Sequence, residues 1–191
     1  MPDQSIVVEE IDARDLPAMR DRIAGVYRAA FALPPYNEGE PETEAAMQSL
    51  LQHSRREGFR FRAARTAQGE LVGFAYGYRG QDGQWWHDYV ARFLDPQPRE
   101  KWLSDCFQFV DIAVLPDRQR GGIGGQLLEA TLDGLPYETA ALTAFAGDNP
   151  ALRLFLNHGW QILISDLVFP NTASPIVLLG RELTGPKRRE T

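Results

Sequence analysis

The segment that most restricts how this chain can fold lies between residues 107 and 135. Phe107 to Leu115 is a nearly continuous apolar run, interrupted by Gln108 and Asp111 and stopped by Pro116. Such a run suits a central strand, buried on both faces. It leads into the turn Gln119-Arg120-Gly121-Gly122-Ile123-Gly124-Gly125, after which Ile123, Leu127, Leu128, Leu132 and Leu135 share one helical face. Strand, glycine turn and helix in that order place unpaired amides at the helix start. Glycine lets a ligand approach the backbone, and the helix dipole favours an anion there. A phosphate-bearing ligand is the expectation.

Three phosphate-binding designs use this logic, and spacing separates them. A Walker-type loop requires Lys and then Ser or Thr after its last glycine, whereas Gly124 and Gly125 are followed by Gly125 and Gln126. A dinucleotide fingerprint requires glycine three positions after Gly124, where Leu127 stands. Both readings fail on the residues.

The flanking sequence reads as one folding unit over 1–191, a length that can bury a single substantial core. Ile6-Val7-Val8 opens with a strand, and Leu16, Met19, Ile23, Val26, Tyr27, Ala30 and Phe31 recur at helical spacing until Pro34-Pro35. Met47, Leu50, Leu51 and Ser54 mark a second helix, with Gly58 expected as its C-cap. Phe59, Phe61 and Ala63 alternate with Arg60, Arg62 and Ala64, and the turn Gln68-Gly69 joins this strand to Leu71–Tyr78 as an antiparallel hairpin. Arg79 to Arg99 reads as an ordered loop or short helix holding Trp85, Trp86, Tyr89 and Phe93. Thr139–Phe145 is a strand, Asn149–His158 a helix, and Ile162–Phe169 and Ile176–Leu183 two last strands.

The glycine turn resembles motif A of the GNAT superfamily of acyl-CoA-dependent N-acetyltransferases, whose pattern Gln or Arg, two residues, Gly, one residue, Gly or Ala is met by Gln119, Gly122 and Gly124. Asn149-Pro150-Ala151-Leu152-Arg153-Leu154-Phe155-Leu156-Asn157-His158-Gly159-Trp160 is similar to motif B. Its local physics agrees: Asn149 is a fit N-cap, Pro150 a first helical residue and Gly159 a helix stop. The resemblance covers residues of about 107–135 and 139–160, the second half of the chain. It implies an α/β (α+β) fold with a mixed, mostly antiparallel central sheet flanked by helices. It also implies acetyl-CoA as co-substrate, held at Ile112, Ala113 and Val114 and at Gln119, Arg120, Gly121, Gly122, Ile123, Gly124 and Gly125, with Asn149 and Phe155 contributing from motif B. The acceptor would be a small-molecule or peptide amine that attacks directly, a reaction that requires no metal.

Family members often carry Tyr where Phe155 stands, and a phenyl ring donates no proton to the departing thiolate. For the amine's proton, Asp111 is the candidate base. It is the one charge in an apolar strand, and burial raises a carboxyl's pKa. The alternative for Asp111 is a strand carboxylate satisfied by a backbone group or an arginine. Tyr36, Trp85, Trp86 and Tyr89 are candidates for an acceptor cleft or for ordinary aromatic packing.

The remaining features exclude more than they assign. A formal charge of −6 opposes nucleic-acid binding, which draws on clustered Lys and Arg; Lys187-Arg188-Arg189 reads as part of a solvated tail over 184–191. Cys106 is the single cysteine and reads as a buried, inert thiol. With no leader at Met1 to Ser5 and no membrane-length apolar run, the expectation is a cytoplasmic protein. His53, His87 and His158 lie far apart without ligand-like spacing, so no metal site is expected. His53 reads as a helix-face residue, His158 as a helix-end cation and His87 as an acceptor-site candidate. A monomer or a homodimer is expected, with Ile176–Leu183 read as an edge strand open to pairing between chains. Two rival functions stay open: a non-catalytic acyl-CoA-binding or regulatory module, and an ATP-binding protein using the same turn.

Overall fold

The computed structural model describes residues 5–170, 172 and 174–183; the expectations for Met1–Gln4 and for the basic tail lie outside them. Among these residues seven strands, numbered along the chain, form one mixed sheet in the order β1-β2-β3-β4-β5-β7-β6, accompanied by six α-helices. By contacts the chain divides into two compact units, 1–78 with 110–131 and 79–109 with 132–191.

The first unit contains β1 (Ile6–Ile11), α1 (Leu16–Phe31), α2 (Glu40–His53), β2 (Arg60–Thr66), most of β3 (Leu71–Gly80) and the C-terminal half of β4 (Cys106–Val114). Leu16, Met19, Ile23, Val26 and Tyr27 recur at helical spacing and, with Ala24, are the buried residues of α1. They join Met47 and Leu50 of α2 and Phe61, Phe74 and Tyr76 of the hairpin in one core. The hairpin pairs Phe61 with Tyr76 and Ala63 with Phe74, as the alternation predicts. Gly73 has a packing reason to lack a side chain, since a Cβ there would lie 2.9 Å from the Ala113 carbonyl oxygen and 3.1 Å from Leu127. Helix α5 (Ile123–Leu132) ends on arginines of β2: Arg62 Nε donates to the Ala130 carbonyl at 3.1 Å, and Arg60 to that of Thr131 at 3.2 Å. The expected C-cap Gly58 is corrected: α2 is closed by Ser54, whose amide bonds the Leu50 carbonyl, and Gly58 (φ 66°) turns the chain just before β2.

The second unit contains α3 (Trp85–Ala91), α4 (Pro96–Leu103), the N-terminal half of β4, β5 (Thr139–Phe145), α6 (Pro150–Asn157), β6 (Gln161–Leu167) and β7 (Ile176–Glu182). Residues 79–99, read as a loop or one short helix, thus supply the end of β3 and two helices. Leu135 lies beyond the end of α5 yet is buried. β4 and β5 are parallel and pair Cys106–Gln108 with Thr139–Ala141. β7 runs antiparallel to both β5 and β6 and sits between them. The expectation of an exposed edge at Ile176–Leu183 is therefore overturned: that strand is buried along Ile176 to Gly180, and β6 is the outer one. Gly180 permits this packing, because a Cβ would lie 2.6 Å from the Trp102 ring.

Cys106 is fully buried, and loss of hydration pushes its thiol up to about 12, so it is an unreactive core residue. No described helix is long and apolar enough to cross a membrane.

Candidate active site

The glycine turn begins with a short 3-10 turn, Pro116–Arg118, after which Gln119 is extended and donates its side-chain amide to the Val114 carbonyl at 3.0 Å. Arg120 (φ 64°) and Gly122 (φ 82°) both adopt the left-handed conformation. At Arg120 this costs about 1 kcal/mol or more, whereas at Gly122 it costs little, and a Cβ there would meet nothing within 4 Å. Gly122 is needed for its torsion and leaves the space beside it open. The first bond of α5 runs from the Gln126 amide to the Gly122 carbonyl at 3.1 Å. The amides of Ile123, Gly124 and Gly125 precede it and have no acceptor within the helix. Gln119 to Gly122 are exposed, so this end of α5 faces solvent. The geometry suits an anion.

In the same unit, Asp111 sits half-buried on β4, just before Ile112, Ala113 and Val114. Desolvation, reinforced by the charge of Glu38, raises its carboxyl to about 6, against a hydrogen bond from the Tyr76 hydroxyl that holds it down. The partner is thus a tyrosine hydroxyl rather than the backbone group or arginine of the alternative reading. The Tyr76 oxygen also lies 3.2 Å from Nδ1 of His53, the last residue of α2. Since Tyr76 donates to Asp111, it accepts from His53, which fixes the proton of the neutral imidazole on Nδ1. Burial, then Arg56, depresses His53 to about 4, so it is neutral near pH 7. Glu38 accepts a 2.6 Å bond from the buried Tyr27 hydroxyl, and desolvation raises its pKa. Tyr36 packs edge-on against Phe31, and its phenol is pushed up by desolvation, then by Glu38 and Asp111.

This array joins two carboxyl groups to tyrosines, a setting for a cationic amine that must shed a proton. Of its members, sequence reasoning had identified Asp111 and Tyr36. His53 is more than a helix-face residue, while Glu38, Tyr27 and Tyr76 were missed as site residues. The one signal available for Glu38 was its position two residues after Tyr36.

In the second unit, Asn149 is fully engaged by protein. Its Oδ1 accepts from the Leu152 amide at 2.9 Å, and Nδ2 donates to the carbonyls of Phe145 and Gly147. It holds the start of α6. Phe155 is buried edge-on against Phe109 and Trp160. Gly159 (φ 79°) ends the helix as expected, with the Trp160 amide returning to the Phe155 carbonyl. His158 caps the same end, its Nδ1 on the Leu154 carbonyl. The neighbours Trp85 and Trp86 part company. Trp86 is buried, with its indole N–H on Thr143 Oγ1 at 3.0 Å, whereas Trp85 is exposed and stacked on Tyr89. Trp86 is a packing residue; Trp85 packs on Tyr89 and Phe169 and stays 62% exposed.

The sequence model of the Acetyltransferase (GNAT) family matches residues 23–160. A GCN5-like protein acetyltransferase of Mycobacterium tuberculosis is 30% identical over 129 residues, which span 63% of this chain and 63% of that relative's length. NAA60 of Arabidopsis thaliana, solved with a bisubstrate analogue, is similar in structure with a TM-score of 0.64 at 16% identity, over 95% of this chain and 100% of that one. The PaiA N-acetyltransferase of Thermoplasma acidophilum, solved with coenzyme A, gives 0.58 at 13% identity, over 93% and 99%. The two structures share the fold described above. With the matched region taking in the second half of α1, the hairpin, the glycine turn and α6, the chain belongs to the GNAT acetyltransferase family.

Proposed function

We propose that the chain, as one N-acetyltransferase domain over 1–191, transfers an acetyl group from acetyl-CoA to a primary amine by direct attack in a ternary complex. The observation that carries this reading is Asp111, a carboxyl raised to about 6, one residue ahead of the strand segment Ile112–Val114 and in the same unit as the open glycine turn. Amides from Gln119 to Gly125 hold the CoA pyrophosphate, with exposed Arg120 adding positive charge. Main-chain groups of Ile112–Val114, past the end of the β5 pairing, hold the pantetheine arm.

The acceptor enters as an ammonium ion, attracted by Glu38 and Asp111 and faced by Tyr36. Asp111 takes its proton, the freed nitrogen forms a bond to the thioester carbon, and as the C–S bond breaks to release the thiolate the nitrogen gives up its second proton to water. Raising Asp111 from the ordinary carboxylate range gains roughly 3 kcal/mol of driving force for that proton transfer. Phe155 supplies no proton, so the thiolate is protonated by water or by the proton Asp111 has gained, a downhill transfer to a thiol with a pKa of about 8.5. Catalysis rests on positioning and on stabilising the oxyanion.

The second reading, acyl-CoA binding without turnover, is favoured by the absence of a hydroxyl at Phe155. Two measurements separate them. Acetyl-CoA and CoA, but not ATP or NAD, are expected to raise the melting temperature by several degrees at saturation, and thiol release is expected to depend on an added primary amine. A CoA shift without amine-dependent release across a broad amine panel selects the binding module. No shift with either CoA species removes both readings.

A further inference from the structure

We infer that Asp82, His87 and Asp88, at the junction of β3 and α3 in the second unit, form a binding site for one divalent transition-metal cation, with zinc the best match to the donors. Their ligand atoms all lie within 4.8 Å of one another. The imidazole carries the argument. His87 is 3% exposed, and its Nε2 lies 3.1 Å from the Leu103 carbonyl, which can only accept, so Nε2 bears a proton. The opposite nitrogen, Nδ1, is buried with no hydrogen-bond partner. It faces Asp82 Oδ1 at 3.5 Å and Asp88 Oδ1 at 3.6 Å.

Those two distances are too long for a hydrogen bond. A protonated imidazole would close on a carboxylate to about 2.7–2.9 Å. They do match the separation of two atoms bound to one ion. Ligands at 2.0–2.2 Å from a tetrahedral zinc stand roughly 3.3–3.6 Å apart. The surroundings agree. Metal-bound histidines commonly pin their other N–H on a carbonyl, as Leu103 does here. The Gly83 amide donates to Asp88 Oδ1 at 3.0 Å, which orients that carboxylate and leaves its second lone pair available. Asp82, with 86% of its side chain exposed, lies on the solvent side, where water completes the coordination.

One imidazole with two carboxylates selects among cations. Magnesium and calcium prefer oxygen alone, whereas zinc, cobalt and nickel accept the mixed set. The bound ion would fasten the turn over 81–84 to α3, which carries Trp85 and Trp86.

The test titrates the whole protein, freed of metal by chelator dialysis, with Co2+ and then Zn2+, reading the visible Co2+ absorption band. One equivalent of Co2+, displaced by one equivalent of Zn2+ and not by millimolar Mg2+, is expected. Asp82→Asn is expected to weaken Co2+ binding about tenfold or more. Because Asp82 is exposed, this variant keeps its fold, verified by circular dichroism. Asp88→Asn, which retains the oxygen that accepts from Gly83, is expected to weaken binding similarly. Absence of a Co2+ band at about 1 mM, or equal affinity in Asp82→Asn and the parent, overturns the site. Neither result bears on acetyl transfer, which is read separately.

Discussion

The two long motifs each begin a helix, and the two beginnings are built in opposite ways. At α6 the protein caps its own helix: Asn149 accepts the Leu152 amide, its side-chain amide spans two carbonyls, and Pro150 contributes no N–H. At α5 the chain arrives through Arg120 and Gly122 in the left-handed conformation and leaves its first amides pointing outward. A closed helix end contributes stability; an open one forgoes about 1 kcal/mol of capping and keeps its dipole for a ligand. The contrast extends to the side chains. The first unit gathers Asp111, Glu38, Tyr76 and His53, while beside α6 the rings of Phe155, Phe109 and Trp160 pack edge-on. Two glycines repeat it: a Cβ at Gly122 meets nothing, and one at Gly180 collides with Trp102.

The comparison is broken most directly at Asp111. Asp111→Asn is expected to lower kcat/KM about 10²-fold or more while leaving acetyl-CoA affinity unchanged by calorimetry, and the acid limb near pH 6 in the parent's profile should vanish. Unchanged turnover would place the base elsewhere. Gly122→Val, forcing a β-branched residue to φ 82°, should weaken acetyl-CoA binding about tenfold with a smaller effect on folding. Gly180→Ala should do the reverse, costing about 1–3 kcal/mol by chemical denaturation while its effect on acetyl-CoA affinity stays small. Asn149→Ala should cost about 1 kcal/mol of stability and leave acetyl-CoA KM close to the parent's; a large KM change would assign Asn149 to the ligand after all.

The smallest effect sharpens the electrostatics. His53 folds with its pKa depressed to about 4, so its contribution is present above 6.5 and lost as pH falls toward 4. Asp111 folds with its pKa raised to about 6, so its contribution is present below 3.8 and lost as pH rises through 6. The two slopes oppose each other over nearly one window. Denaturation at pH 4, 5, 6 and 7 should show stability rising more steeply with pH in Asp111→Asn than in the parent, and less steeply in His53→Gln.

What was legible in the sequence was whatever its own neighbours determine. The β2–β3 hairpin follows from alternation around Gln68-Gly69, α6 from its caps, and Asp111 stood out as one charge in an apolar run. What escaped depends on distant partners. Tyr76 reads as one apolar position of a strand until α2 brings His53 to it, and Glu38 as loop charge until Tyr27 meets it. The helix α4 was recoverable, since Asp95 followed by Pro96 is a helix-start signal. The interior place of β7 was recoverable too, since Ile176-Val177-Leu178-Leu179 is an unbroken apolar run, whereas Ser165-Asp166 interrupts β6. His87 escaped because its prospective co-ligands are aspartates at 82 and 88 rather than further histidines.

The position of β7 also dictates an order of events during synthesis. β5 and β6 leave the ribosome first, yet in the finished molecule neither has the other for a partner; each pairs with Ile176–Glu182. Until that stretch emerges, β5 exposes one side of its backbone over Thr139–Phe145, and β6 has no strand beside it. Such unpaired strands are ready templates for other chains. A nascent chain halted between residues 168 and 175 is therefore the aggregation-prone form of this protein, and the arrival of Ile176–Glu182 resolves both strands in a single step.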